Sequence, residues 1–159
     1  MNIILRRANI GDLQFLFDLR NEPQVRNVSF FTSSIDLSDH KRWFEKKLSS
    51  IYSAIYIATL EDGIPIGQVR YDVDAEDKSV AEVSIALTSN FTGRGLGNKI
   101  LRNSCLLFFE DFAGVSSVDA LIKKDNIASI KSFEKAGYMN LGQTIINNTL
   151  CVKMRLRKR

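Results

Sequence analysis

The chain has 159 residues, of which 45% are hydrophobic and 25% are charged. These proportions are typical of a globular protein and exclude a disordered or fibrous one. There is no apolar run of about 18 residues, and charge follows a very short apolar stretch at the N-terminus, so neither a transmembrane helix nor a signal peptide is expected. The net charge of +4 is compatible with an anionic small ligand or with nucleic acid, but it requires neither.

The two cysteines, Cys105 and Cys151, lie in apolar segments and form no CxxC or Cys/His cluster. Neither a disulfide nor a structural zinc site is therefore expected, which indicates a reducing, cytoplasmic compartment. The two prolines are isolated, and there is no repeat or linker-like stretch. The sequence thus predicts a single domain over residues 1–159, with no metal and no membrane association.

Hydrophobic periodicity predicts strands and helices in a mixed order. A helix follows a cap at Asn9 and should stop before Pro23, because the residue preceding a proline disfavours helical backbone. In chain order we expect a strand at 2–7, helices at about 9–22 and from about 36, strands at 53–60, 65–73 and 79–88, a long helix from about 96, a strand at 115–122, a helix at 126–136, and strands at 138–145 and 149–156. This order predicts an α/β (α+β) fold, in which about four helices flank a mixed, mostly antiparallel sheet of about seven strands.

The sharpest local feature is the glycine-rich turn Thr92-Gly93-Arg94-Gly95-Leu96-Gly97, between a predicted strand and a predicted helix. Glycines permit backbone conformations that other residues avoid, and they leave the first N–H groups of the helix free to face an anion. The turn therefore predicts a phosphate or pyrophosphate site with Arg94 nearby; the alternative is a tight strand-to-helix connection. Its spacing fits neither a Walker loop nor a GxGxxG dinucleotide fingerprint.

A second segment, Asn126 to Tyr138, follows the next predicted strand. Together the two segments resemble the GNAT superfamily of N-acetyltransferases, which pairs a loop R/Q-x-x-G-x-G/A with a later N-x-x-A/S-x-x-x-Y-x-x-x-G-F/Y segment. One helix and one strand separate them, as in that family, and the resemblance extends over essentially the whole chain.

The resemblance implies an enzyme that binds acetyl-CoA as co-substrate and acetylates a primary amine. The glycine loop would hold the CoA pyrophosphate, and the strand end at Leu87 would pair its backbone with the pantetheine arm. The strand before the loop and the strand after the long helix would splay apart to admit the thioester. The residues implied in cofactor binding are Leu87, Thr92, Gly93, Arg94, Gly95, Leu96, Gly97, Asn98, Asn126, Ser129 and Phe133.

Two positions depart from the family pattern. Thr92 replaces Arg or Gln at the first loop position, where backbone amides do most of the binding. Phe133 stands where many members carry a tyrosine proposed to protonate the departing thiolate, and phenylalanine has no hydroxyl. Ser129, Tyr138 or water would then supply the proton, or the thiolate would leave unassisted, since a thiol is already acidic.

The reaction also needs a base within reach of the amine. Glu82, on the strand that leads to the loop, lies where family members often place a catalytic glutamate, although alternation puts it on the opposite face from Leu87. His40 is the other candidate, because it titrates near neutral pH and shares a helical face with Trp43 and Phe44. The alternatives are a surface or ion-paired glutamate and a packed histidine.

The N-terminal third should form the acceptor side, through Arg20, Asn21, Arg26, His40 and Trp43. An arginine–asparagine pair before a proline and a histidine ahead of an aromatic pair resemble the aminosugar N-acetyltransferases of pseudaminic acid (nonulosonate) biosynthesis, which acetylate the 4-amino group of a nucleotide-linked deoxysugar. Arg20, Arg26 and Arg42 would then meet the diphosphate, while Trp43 stacks on a base or sugar.

Two other hypotheses of function stay open. One is a ribosomal-protein N-terminal or other small-amine acetyltransferase, and the other is a non-catalytic module that binds CoA or nucleic acid. A homodimer is also compatible with the sequence.

Overall fold

The computed structural model describes residues 1–159, which form one seven-stranded sheet with helices on both faces. The strands lie in the order β1-β2-β3-β4-β5-β7-β6, and every neighbouring pair is antiparallel except β4 and β5. This is the predicted mixed, mostly antiparallel sheet. The strands are β1 (Ile4–Arg7), β2 (Ser53–Thr59), β3 (Pro65–Val73), β4 (Val80–Leu87), β5 (Ser117–Lys123), β6 (Met139–Ile146) and β7 (Thr149–Arg157).

Five α-helices are present, one more than the approximate number expected. Helix α1 ends at Asn21, ahead of Pro23 as predicted, but Pro23 then begins a separate six-residue helix. Proline suits that first position, because its N–H would have no helical partner there in any case. The helices are α1 (Leu13–Asn21), α2 (Pro23–Val28), α3 (Leu37–Ser49), α4 (Leu96–Asp111) and α5 (Ile127–Lys135). None of them is long and apolar enough to cross a lipid bilayer.

The start of α1 differs slightly from the prediction. Asn9 caps a single 3-10 turn, Ile10–Asp12, and α1 continues from that turn. The Asp12 carboxylate accepts a hydrogen bond from the Asn9 N–H and two from the Arg6 guanidinium, which ties the turn to β1.

The two faces of the sheet carry different cores. Helices α4 and α5 cover one face over the larger core, where the Tyr71 ring stacks on Phe108 with centroids 4.4 Å apart. Helices α1 and α3 cover the other face over a smaller cluster of Leu16, Phe44 and Ile57. We call these the α4/α5 face and the α1/α3 face. Alternation along each strand sends successive side chains to opposite faces.

Strands β4 and β5 pair over only three positions. Val80, Ala81 and Glu82 lie opposite residues 117–119, and Glu82–Asp119 is the last pair. Beyond it β4 stays paired with β3 as far as Leu87, and β5 stays paired with β7 as far as Lys123. The two halves of the sheet therefore diverge as a V, which confirms the predicted splay. We call the gap the β4/β5 cleft.

Candidate active site

The turn after β4 gives α4 an open N-terminus. Gly93 and Gly95 have φ values of +72° and +73°, in the left-handed region that favours glycine. Gly95 is the residue that precedes the first turn of α4, and no side chain caps that turn. A Cβ atom at Gly93 or Gly95 would have no atom within 4 Å, so both glycines border open space. The N–H groups of Leu96, Gly97 and Asn98 therefore lack helical acceptors and suit an anion.

The side chains of this turn mostly stabilise it. The Thr92 hydroxyl donates to the Ser89 carbonyl at 2.9 Å, and the Asn98 amide donates to the Gly95 carbonyl at 3.0 Å. The Arg94 guanidinium lies 5.2 Å from the centroid of the Phe91 ring and has no acidic partner. Arg94 is thus an exposed cation next to the open helix N-terminus.

Leu96 and Gly97 have packing roles in addition to any backbone role. The Leu96 side chain is buried in the larger core. A Cβ at Gly97 would lie 3.2 Å from the Ser132 hydroxyl, so the glycine lets α4 approach α5 closely. On the sheet, the side chain of Leu87 packs closely against Gly67 of β3, since a Cβ at Gly67 would overlap it. Only the backbone groups of Leu96 and Gly97 are directed to the predicted anion site.

Of the predicted residues at α5, Asn126 and Ser129 are half-buried and Phe133 is buried. The Asn126 side chain accepts a hydrogen bond from the Ser129 N–H at 3.3 Å and so caps the helix. Phe133 is only 2% exposed, and its ring meets Tyr138 edge-on with centroids 4.9 Å apart. The Tyr138 hydroxyl is buried without a hydrogen-bond partner. A cofactor contact of Phe133 stays a prediction.

Three carboxylates lie side by side on the α1/α3 face at the point of the V. Asp72, Glu82 and Asp119 occupy matching positions on β3, β4 and β5. Asp119 accepts two hydrogen bonds from the Arg155 guanidinium, at 2.6 and 2.8 Å. Asp72 and Asp119 were not among the predicted residues, because their position beside Glu82 depends on the strand order.

Asp72 is also neutralised by its neighbours. Arg70 lies 2.9 Å and Lys47 2.7 Å from its carboxylate oxygens, and the Ser53 hydroxyl donates to it at 2.7 Å. Burial alone would raise the pKa of Asp72, but Arg70 and then the hydrogen bonds from Lys47 and Ser53 outweigh it and lower that pKa. Asp72 is therefore a fixed anion.

Glu82 is the member of this row that has no basic side chain within 4 Å. It lines a pocket of about 330 Å³ that lies mostly at the paired end of β4 and β5 and that Leu121 and Lys153 also border. Glu82 is nevertheless an exposed residue. Partial loss of hydration raises the pKa of Glu82, and the charge of Asp72 adds to this against the lowering effect of Arg70. A free carboxylate with a raised pKa is a suitable proton acceptor. As expected, it lies on the opposite face from Leu87.

His40 is packed in an aromatic cluster. It is 3% exposed, and its ring lies 5.7 Å from Phe17 and 5.5 Å from Trp43, centroid to centroid. Its Nε2 atom is buried without a hydrogen-bond partner. Burial lowers the pKa of His40, and the nearby charge of Arg20 lowers it further. The geometry favours the packed alternative over the role of base.

The predicted acceptor residues divide into two groups. Arg20 and Arg26 turn toward the loop that follows α2, where they donate to the Phe31 and Thr32 carbonyls, and Asn21 holds the same loop through Ile35. Arg42 does not join them, because its side chain is 74% exposed and is paired with Asp39 along α3. The structure therefore places Arg42 apart from Arg20 and Arg26.

Trp43 carries a cation on its ring. The Arg70 guanidinium lies 5.1 Å from the ring centroid of Trp43, on the α1/α3 face. The ring is half-buried between this arginine and His40. Arg70 is a further site residue that no local sequence signal identified.

The segment from α1 to α2 bridges the two arms of the V. The Glu22 carboxylate accepts a hydrogen bond from the Ser89 N–H, after β4, at 3.3 Å. Lys123, at the end of β5, donates to the Asn27 carbonyl at 3.3 Å. These contacts place α2 over the open end of the cleft. No group of three or more His, Cys, Asp or Glu side chains is arranged to hold a metal ion.

Comparison with known families identifies this architecture. Residues 2–139 match the model of the acetyltransferase (GNAT) domain. The chain belongs to that family, and the predicted GNAT fold and acetyltransferase class are confirmed at this level.

Individual relatives share the family but differ in the molecules they are named for. The protein named "Putative phosphinothricin acetyltransferase YwnH" of Bacillus subtilis (strain 168) is 29% identical over 143 residues, which are 87% of this chain and 85% of that protein. The aminoglycoside acetyltransferase AAC(6')-Ib in complex with coenzyme A and kanamycin has a TM-score of 0.85 and 23% identity, over 99% of this chain and 95% of that one.

The spermidine N-acetyltransferase from Vibrio cholerae, in complex with CoA and spermine, has a TM-score of 0.87 and 16% identity, over 98% of this chain and 95% of that one. A further structure of the aminoglycoside enzyme contains acetyl-CoA. These likenesses agree with the predicted co-substrate. None of these relatives is named for a nucleotide-linked aminosugar.

Proposed function

We propose that residues 1–159 form one catalytic domain that transfers the acetyl group of acetyl-CoA directly to a primary amine in the β4/β5 cleft. The observation that carries this proposal is the position of Glu82, the unpaired carboxylate at the last registered pair of β4 and β5. The cleft opens from that pair toward the strand ends, and the open N-terminus of α4 follows β4.

Acetyl-CoA would be held mainly by backbone. The N–H groups of Leu96, Gly97 and Asn98 would bind the pyrophosphate, and Arg94 would add a positive charge. The β4 edge from Val83 to Leu87 has no strand partner on its β5 side, so its backbone groups are free for the amides of the pantetheine arm. Asn126 and Ser129 would border the opposite side of the channel.

Glu82 would act as the base. An amine is protonated at neutral pH, so the Glu82 carboxylate removes a proton, and the nitrogen lone pair then attacks the thioester carbonyl. The nitrogen of the tetrahedral intermediate loses its second proton to water, and collapse of the intermediate then breaks the C–S bond and releases the CoA thiolate with its electron pair. A thiol pKa of about 8.5 makes this thiolate a good leaving group, so that no tyrosine is needed as a proton donor at the position of Phe133.

For the acceptor we propose a nucleotide-linked deoxy-aminosugar, acetylated at its 4-amino group. The support is the similarity of the α1–α3 segment to such enzymes and the basic side chains of that segment. The alternative is a ribosomal-protein N-terminus or another small amine. The phosphinothricin, aminoglycoside and spermidine enzymes among the relatives favour a small amine in general.

The test is the release of CoA thiol from acetyl-CoA with a panel of amine acceptors. Turnover with UDP-linked 4-aminosugars above that with peptides and polyamines is the expected result. Turnover with peptides but not with UDP-aminosugars would overturn the proposed acceptor. CoA binding without turnover of any amine would overturn the proposal of an acetyltransferase and favour a non-catalytic module that binds CoA.

A further inference from the structure

We propose that Arg20, Arg26 and Arg70 form an anion subsite on the α1/α3 face, and that the acceptor therefore carries a phosphate or carboxylate close to its amine. This inference rests on the proposed function and specifies its substrate class. The subsite makes the negative charge of the acceptor the determinant of specificity, and Arg20 is the main residue that recognises this charge.

The first observation is an arginine without an anion. One terminal nitrogen of Arg20, Nη1, is buried and has no hydrogen-bond partner, while Nη2 donates to the Phe31 carbonyl at 3.0 Å. No carboxylate lies within 4 Å of the Arg20 guanidinium. A buried donor without an acceptor is costly, and more so when it is charged.

The second observation is that Arg26 lies next to Arg20, since the two side chains donate to adjacent carbonyls of one loop. The Arg26 Nε donates to the Thr32 carbonyl at 2.9 Å, and Arg26 has no acidic partner. Arg70 lies over Trp43 and shares Asp72 with Lys47. Burial lowers the pKa of Arg20, and the charges of Arg26 and then Arg70 lower it further, as expected for cations that face one another. An anion bound among them would supply the missing acceptor and offset this repulsion.

The third observation places Arg70 beside the proposed base. Arg70 lies opposite Ser84, and Asp72 lies opposite Glu82, so Arg70 and Glu82 are diagonal neighbours on the same face of the sheet. Diagonal neighbours have Cβ atoms roughly 7 Å apart, within the reach of one small molecule. An amine at Glu82 and an acidic group at the arginines can therefore belong to the same acceptor. Kanamycin and spermine, which carry only amino groups as ionisable groups, lack such an anion.

The direct test is a calorimetric titration of the full chain with inorganic phosphate, with CoA already saturating the glycine loop. We expect one site, whose affinity falls at least tenfold in Arg20→Met. Arg42→Met should bind phosphate as the unaltered protein does, since Arg42 is exposed and paired with Asp39. Acetate, titrated in parallel, distinguishes a carboxylate subsite from a phosphate subsite. The subsite would be overturned if the unaltered protein bound neither phosphate nor acetate, or if Arg20→Met bound phosphate as tightly as the unaltered protein does.

Two further measurements keep the test independent of folding and of the proposed function. Arg26→Met repeats the titration if Arg20→Met does not fold, with unchanged CoA affinity as the criterion of folding. Thiol release with glucosamine 6-phosphate and with glucosamine then compares an amine that carries a phosphate with the same amine without it. Equal or better turnover of glucosamine or spermidine would overturn the inference, whereas anion binding without turnover of any amine would overturn only the proposed function.

Discussion

The two sides of the β4/β5 cleft are built from different chemical groups. The glycine loop before α4 offers backbone N–H groups, and its two left-handed glycines leave the space in front of them open. The α1/α3 face offers charged side chains instead, with Glu82 between two neutralised aspartates and the arginines nearby. A backbone site serves a ligand that is the same throughout a family, whereas side chains can be exchanged as the acceptor changes.

The largest effect is expected where the backbone site is blocked. Gly95→Glu puts a side chain on a residue with φ of +73° and adds a negative charge beside the helix N-terminus. The strain of about 1–3 kcal/mol and the repulsion of the diphosphate should together weaken CoA binding at least ~100-fold. Equilibrium titration with CoA measures the change.

A matched control separates this effect from general destabilisation. Gly63 has φ of +87° and equally open surroundings, but it lies in the turn between β2 and β3. Gly63→Glu should bear similar strain and keep its CoA affinity. Equal affinity in the two variants would show that the glycine loop is not the pyrophosphate site.

A large effect is also expected on the side-chain side of the cleft. Glu82→Gln keeps the shape of the residue but removes the proton acceptor, so kcat/KM for the amine should fall by about 10²–10⁴. CoA affinity should not change. Glu76→Gln, in the exposed loop before β4, is the control and should retain full activity. Retention of activity by Glu82→Gln would exclude Glu82 as the base.

The pH dependence of kcat tests the role of Glu82 as the base in a second way. Only the deprotonated form of Glu82 can accept a proton, so kcat should rise as the pH increases through the pKa of this group. Because partial loss of hydration and the charge of Asp72 raise that pKa, the rise should lie above the value of 4.5 usual for a glutamate. Glu82→Gln should lose this limb of the profile. A limb that persists in the variant would assign the ionisation to another group.

The smallest effect is expected at Tyr138. Its hydroxyl is buried without a partner, so Tyr138→Phe should leave stability unchanged or raise it by about 1 kcal/mol. If the thiolate leaves unassisted, kcat should change by less than about threefold, whereas loss of a general acid costs about 10²-fold or more. Thermal unfolding and steady-state rates measure the two quantities. A hundredfold loss of kcat in a folded variant would make Tyr138 the acid.

The glycine loop was predictable because its signal is local. The spacing of Gly93 and Gly95 between a strand and a helix predicts left-handed backbone and an open helix end, and the structure has both. The splay of β4 and β5 followed from the resemblance and is also present. Helix α2 was missed, because Pro23 was interpreted only as the end of one helix and not as the start of the next.

The side-chain part of the site was less predictable, because it depends on contacts between distant segments. Asp119 lies 37 positions after Glu82 in the sequence, and only the strand order places the two side by side. The separate position of Arg42 could have been predicted, since His40, Trp43 and Phe44 share one helical face and a residue between them points away from it. The burial of Phe133 follows from the packing of α5 on the sheet, which no local pattern specifies.

A crystal structure of the chain with CoA and an acceptor amine would test the central claim most directly. The expected result is the pyrophosphate within about 3 Å of the N–H groups of Leu96 to Asn98, the thiol between β4 and β5, and the amine beside Glu82. CoA bound elsewhere, for example at the basic groove of Arg155, Arg157 and Arg159 near the chain end, would contradict it. So would an amine held on the α4/α5 face, away from Glu82.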